Sequence, residues 1–236
     1  AGGAFPVAVT NADDSPLAQT AHEVVALRAG GERSVAATKT YVAELYALSL
    51  FVAEVGRRKD FLAAHEELPG RVQEALHYVE PAVVDLAGRW EHVHACVVTG
   101  RGYNYATARE AALKLKEAAY VAAEALSSAD FLHGPVALVG PDFPVLVVAA
   151  PGRARDHLRD VLRKLRRRRA DVAVVSSDAR LLNLAQVGVR APDGVPEELT
   201  PHVYAVAAHL LSYHLGVRRG VDPDRPRGLR KVTWVL

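Results

Sequence analysis

Three charged side chains stand at a spacing that could do chemistry: Glu110, Lys114 and Glu117, at i, i+4 and i+7 inside the stretch Gly100 to Pro135. On a helix they share one face within an arc of roughly 60°. A carboxylate beside an ammonium can take a carbon-bound proton next to a carbonyl and return it to the neighbouring carbon, so one group serves both steps. The cation keeps the carboxylate ionised and stabilises enolate charge as it develops. Glu117 fits the base and Lys114 its support, with Glu110 read as structural. The competing meaning of this spacing is an ion-pair ladder in solvent. His133, ahead of Gly134-Pro135, adds a group able to give and take a proton near neutral pH.

The positions between the charges, chiefly Ala111, Ala112, Leu113, Leu115, Ala118 and Ala119, are small or apolar, which predicts a helix packed closely on a sheet. A strand over Val93–Thr99 precedes it, and Gly100-Arg101-Gly102 forms the βα turn, whose N–H groups can face a ligand. No third glycine follows at the dinucleotide spacing. Upstream, Phe5–Thr10 and Glu23–Leu27 read as strands. Ser34 or Thr38 could cap a helix through Tyr41, Leu45, Leu48 and Val52 to Gly56. A helical pattern runs from Pro69 to about Gly88. Beyond the central stretch, Val136–Val139 and Val145–Ala150 are apolar segments, Arg153–Arg169 is a helix, Val172–Ser176 a strand and Leu199–Val217 a long helix. The alternation predicts an α/β fold of three layers, a parallel sheet covered on both faces. A chain opening on two strands and a helix reads as the later part of a parallel α/β domain, so upstream sequence is expected. Trp234, Val235 and Leu236 are expected to pack the tail back on the body.

Half the residues are hydrophobic and the formal net charge is +2, so nothing global points to nucleic acid or an acidic membrane surface. The basic run Arg163–Arg169 reads as a solvated face near a helix C-terminus. The single cysteine, Cys96, lies in an apolar run and suits a reducing cytoplasm. Neither a membrane-span run nor a signal peptide is present in the sequence given, so a soluble, cytoplasmic protein is expected. No histidine, cysteine or carboxylate set has metal spacing, and the proton transfer needs neither metal nor cofactor.

Three segments together resemble the sugar-isomerase (SIS) family: SVAATKTYVAELYAL (Ser34 to Leu48), GRGYNYATAREAALKLKE with AEALSSADFLHGPVALV, and the tail DPDRPRGLRKVTWVL (Asp222 to Leu236). The resemblance implies a three-layer αβα SIS fold, with residues 1–68 the closing part of a first SIS domain, 69–218 a complete second one and 219–236 a tail over the active site. It also implies a homodimer. The similar groups are SIS-type glucosamine-6-phosphate deaminase and the isomerase half of glucosamine-6-phosphate synthase. The SSADFLHGP and KVT wording sides with the deaminase, giving fructose 6-phosphate and ammonia. The alternatives are an isomerase-domain homologue of the synthase without its glutaminase domain, or a sugar-phosphate-binding regulatory module without turnover.

For the residues, the resemblance implies that Glu117 moves the proton between C1 and C2 of the opened sugar and that Lys114 assists at its hydroxyls. His133 opens the ring, often from the other subunit, and Lys231 can form an imine with the keto sugar. Val35 of the first motif, the turn Gly100, Arg101 and Gly102, and Ser127 and Ser128 complete the candidate substrate-binding set. The serine- and threonine-rich phosphate loop of the family's first domain is not in the sequence given.

Overall fold

The computed structural model describes residues 3–231, so the expected packing of Trp234 to Leu236 lies outside the described residues. The chain begins with strand β1 (Val7–Thr10), short helix α1 (Pro16–Thr20) and strand β2 (Glu23–Ala26), then helices α2 (Lys39–Val55) and α3 (Lys59–Arg89). The central unit follows: β3 (Ala95–Gly100), α4 (Asn104–Ala119), β4 (Ala122–Ser127), α5 (Ser128–Leu132) and a 3-10 turn Pro135–Leu138. After it come β5 (Pro144–Val148), α6 (Arg155–Arg167), β6 (Asp171–Ser176), α7 (Ala179–Leu182), β7 (Val187–Arg190) and α8 (Thr200–Arg218).

β1 and β2 form a separate parallel pair, Val7 opposite Glu23. The other five strands make one parallel sheet in the order β4-β3-β5-β6-β7. Val97, Val98, Val145–Val148 and Val172–Val175 are all buried, as strands covered on both faces must be. One core layer holds α3, α4 and α8 against the sheet, with Trp90, Leu115, Tyr204 and Leu211 fully enclosed. The opposite layer rests on α6, whose Leu158, Val161, Leu162 and Leu165 point inward while Arg163, Arg166 and Arg167 are exposed. The basic run is thus the solvated side of an amphipathic helix.

Several expectations shift. α3 starts ten residues before Pro69 and carries Pro69 and Pro81 inside it. Each proline removes a helical N–H, yet the buried series Phe61, Leu68, Ala75, Val79, Val83 and Leu86 holds the helix to the core and outweighs that loss. The helix is continuous through residues 68 and 69. The apolar segment Val136–Val139 forms a 3-10 turn that Pro135 starts, with Val139 as its C-cap. β4 and β7 are additional strands. Thr38 stands at the N-cap of α2, but its side chain makes no capping bond, and Glu32 does that work. Its Oε2 accepts from the Thr38 and Thr40 N–H groups at 3.2 and 2.8 Å. Burial pushes the Glu32 carboxyl up, yet these donors prevail and its pKa is lowered.

Among the described residues no helix is long and apolar enough to cross a membrane. Leu48, Phe51, Val52 and Val55 form an exposed apolar stripe on α2. An open, mostly apolar cavity of about 1100 Å³ lies between β2, α2, α3 and α8, with His202 and His209 on its wall.

Candidate active site

α4 is built to be approached closely. Its alanines let β3 and α8 sit against its backbone, and at Gly216 of α8 an added Cβ would lie 2.1 Å from the Ala118 carbonyl oxygen. This packing buries the charged edge: Glu110 is 6% exposed and Lys114 4%. A ladder in solvent is therefore excluded. Lys114 Nζ donates to Glu117 Oε2 at 2.9 Å and lies 3.6 Å from Glu110 Oε1. Glu110 Oε1 also accepts from His209 Nε2 on α8, at 2.9 Å. Only Glu117, with a quarter of its side chain exposed, opens toward solvent. The result is a line of alternating charge that ends in a partly exposed carboxylate.

Glu110 is felt beyond the helix. The Tyr41 ring of α2 stands edge-on to His209, centroids 5.9 Å apart. Burial first, then the charges of Glu110 and Glu44, push the Tyr41 hydroxyl pKa far up, and that hydroxyl has no hydrogen-bond partner among the described residues. Burial and Glu110 likewise raise Glu44.

The C-terminal segment passes over the same end of α4. The Tyr120 hydroxyl, three residues after Glu117, accepts from the Arg227 N–H, and the Arg227 guanidinium lies 5.0 Å over its ring. Further on, Lys231 Nζ donates to the Ser34 carbonyl at 2.6 Å, and Ser34 Oγ donates to the Pro223 carbonyl at 3.2 Å. The tail thus fastens to the Ser34–Val35 segment. Arg219 locks the base of this arrangement, its guanidinium donating to the carbonyls of Ala119 (2.9 Å), Trp90 (3.2 Å) and Val93.

The remaining candidates sit elsewhere. Gly100 pairs with Ser127 across β3 and β4, so Gly100, Arg101, Gly102, Ser127 and Ser128 gather at the C-terminal edge of the sheet. α4 returns antiparallel to β3, and the 13 residues from Asn104 to Glu117 carry the chain about 20 Å to the other edge. One chain therefore does not place this set beside Glu117. Gly100 is required by close approach, an added Cβ lying 2.5 Å from the Asn104 carbonyl oxygen, and Gly102 by its φ of +58°. Ser127 caps α5, accepting from the Asp130 N–H at 3.2 Å, while Ser128 Oγ bonds His157 Nε2 at 2.9 Å. His133 follows α5 from that same edge and is exposed. His209 and Tyr41 join the charged edge at Glu110 without having been picked from sequence. The available signal was the seven-residue spacing of His202 and His209 along the buried side of α8.

A parallel sheet with this acid–base turn beneath a folded-back tail defines the class: residues 92–217, more than half of the chain, match the SIS domain model, and the chain belongs to the SIS domain family. Within that class it is similar to glutamine–fructose-6-phosphate aminotransferase (isomerizing) of Pyrococcus horikoshii, at 36% identity over 99% of this chain and 40% of that protein. The namesake from Methanothermobacter thermautotrophicus is also 36% identical, over 97% of this chain and 39% of its own length. The chain thus spans about 40% of the length of the curated relatives it matches. The solved C-terminal domain of glucosamine-fructose-6-phosphate aminotransferase from Francisella tularensis superposes with a TM-score of 0.84 at 26% identity, covering 93% of this chain and 64% of that one. Glucosamine-6-phosphate deaminase from Thermotoga maritima shares the fold, with a TM-score of 0.73 at 20% identity over 95% of this chain and 65% of that one. These likenesses favour an isomerase domain of the aminotransferase type over the deaminase wording of the motifs.

Proposed function

We propose that the chain is the sugar-isomerising portion of an amino-sugar-phosphate enzyme of the isomerising aminotransferase type, acting on a hexose 6-phosphate by proton transfer between C1 and C2. The observation that carries this reading is Glu117: a partly open carboxylate, held by a buried ammonium at 2.9 Å, near the end of α4 where the tail's Arg227 bonds Tyr120. Glu117 takes the proton from one carbon and returns it to the other. Lys114 fixes the carboxylate and meets the charge that forms on the substrate oxygen. In this reading Lys231, released from the Ser34 carbonyl, forms an imine with the keto sugar, and Val35, next to Ser34 in sequence, is a wall of the site.

The reading extends to a homodimer in the cytoplasm, without nucleic acid or membrane partners, in which His133 of a second copy opens the ring. The distance between the Gly100 edge and Glu117 within one chain supports that division of labour. Residues 1–68 are read as the closing part of a first SIS unit. The two-stranded β1–β2 pair and the exposed stripe of α2 support this.

The test is exchange at carbon. The full-length protein is incubated in deuterium oxide with fructose 6-phosphate or glucosamine 6-phosphate, and deuterium entry at C1 and C2 is followed by NMR. Exchange by wild type and none by Glu117→Gln is expected. No exchange by wild type, or an unchanged rate in the variant, sinks the reading. Ammonia released from glucosamine 6-phosphate would instead select the deaminase implied by the SSADFLHGP motif.

A further inference from the structure

Lys114 stands between two carboxylates, and its unequal allegiance needs a cause. Its ammonium carries three N–H groups and could bond both, yet it holds Glu117 Oε2 at 2.9 Å and leaves Glu110 Oε1 at 3.6 Å, outside hydrogen-bond reach. Glu110 is the more buried of the two and so the more demanding of a donor. That donor comes from across the helix interface: the same Oε1 accepts from His209 Nε2 at 2.9 Å. A carboxylate only accepts, so Nε2 bears the proton. Tyr41, edge-on to the imidazole, holds the ring in place.

We infer that His209 is a positioning residue for the acid–base pair: by supplying Glu110 with its hydrogen bond, it leaves the Lys114 ammonium committed to Glu117. The inference rests on the isomerase reading for its kinetic consequence but not for its geometry. Without His209, the buried Glu110 would draw on the donors that remain around it, the Lys114 ammonium at 3.6 Å and the Tyr41 hydroxyl, unpartnered among the described residues, and the charged ammonium, the stronger donor, would turn toward it. The two Lys114 distances differ by 0.7 Å, so a shift of that order exchanges one partner for the other. Glu117 would then lose the bond that orients it. Tyr41 and Glu44 of α2 and His202 of α8 also lie around this corner, but among the described residues none of them bonds Glu110.

The test compares His209→Phe, which keeps a ring against Tyr41 and removes the donor, with His209→Gln, whose amide can still donate to Glu110. A misplacement approaching 1 Å costs on the order of 100-fold in rate. Expected is a kcat lowered roughly 10- to 100-fold in His209→Phe with KM changed less than about 3-fold, and kcat largely restored in His209→Gln. Crystal structures of both variants supply the readout that does not depend on turnover: in His209→Phe, Lys114 Nζ should lie within bonding distance of Glu110 and have left Glu117. Lys114 still bonded to Glu117 in that variant overturns the inference, as does a kcat equal to wild type. A wild type without carbon exchange defeats the isomerase reading instead, and the position of Lys114 in the His209→Phe crystal then decides the inference alone. Should His209→Phe not fold, His209→Leu carries the same comparison.

Discussion

Gly216→Ala probes the contact on which the Glu117 end of α4 depends. In an open helix this change stabilises by about 0.5–1 kcal/mol, because glycine loses more backbone freedom on folding. At Gly216 the new methyl carbon would lie 2.1 Å from the Ala118 carbonyl oxygen and 3.2 Å from its carbon. Ordinary contact begins near 3.4 Å, so α4 and α8 must part by more than about 1 Å locally. The obstacle is backbone and cannot rotate aside. Forced insertion into a packed core costs about 1–3 kcal/mol, and an unyielding partner puts this site at the upper end. Subtracting the helix gain leaves a net loss of about 2 kcal/mol, or a melting temperature about 4–8 °C lower for a chain of this size. Urea unfolding followed by fluorescence of the enclosed Trp90 measures it, with Gly70→Ala as control. Gly70 lies in α3 with nothing within 4 Å of an added Cβ, and alanine there should stabilise. A Gly216→Ala protein as stable as wild type would refute the close-approach account, since the sign would then be that of an unobstructed helix. Because Ala118 follows Glu117 directly, the same variant should also slow carbon exchange.

Asp171→Ala should lose about 2–3 kcal/mol in urea unfolding, because the enclosed Trp90 Nε1–H, now bonded to Asp171 Oδ2 at 3.0 Å, is left without an acceptor. Its contact with the half-exposed Arg89 contributes little of that, so Asp171→Asn, which keeps an acceptor, should lose clearly less. Gly100→Ala should destabilise by about 1–3 kcal/mol through the 2.5 Å approach to the Asn104 carbonyl oxygen, read by the same unfolding assay. His202 sets an acid limit. Burial lowers its pKa below the usual 6.5, against the Leu199 and Leu45 carbonyls that raise it and with His65 lowering it further. The unfolded chain therefore binds this proton first. The contribution is full above pH 6.5 and is lost as pH falls toward the depressed folded value, with a slope no steeper than about 1.4 kcal/mol per pH unit. The stability difference between wild type and His202→Gln should vary with pH below 6.5; a constant difference would refute it.

How much of this could be read in advance depended on how local each signal was. β5 and β6 are runs of buried valine bounded by turns, and α6 and α8 repeat their apolar residues at helical spacing, so these elements were legible. β4 was not: Ala122–Ser127 reads AAEALS, residues that favour helix, and it is a strand only because β3 offers it a ladder. Strand β7, four residues long with Gly188 inside, is likewise a product of its neighbour β6. Pro69 invited a helix start that tertiary packing overrode.

The same distinction governs the site. Glu110, Lys114 and Glu117 lie within eight residues, and their common face follows from helix geometry alone. What decides their roles is not local. His209 reaches Glu110 from 99 positions away, and Lys231 reaches Ser34 from 197 away. The glycine turn shows how sequence proximity misleads in the other direction. Gly100 to Gly102 stand a few residues before the charged edge, yet the length of α4 carries them to the opposite edge of the sheet. Adjacency to a helix start is thus no evidence of adjacency to residues at its end. For Gly100 itself, the steric demand of the Asn104 carbonyl is sufficient reason for glycine without any ligand. The catalytic case must stand on Glu117, whose one bonded partner among the described residues, Lys114, comes from the same helix, while α8 and α2 close around Glu110 and the tail fastens at Tyr120.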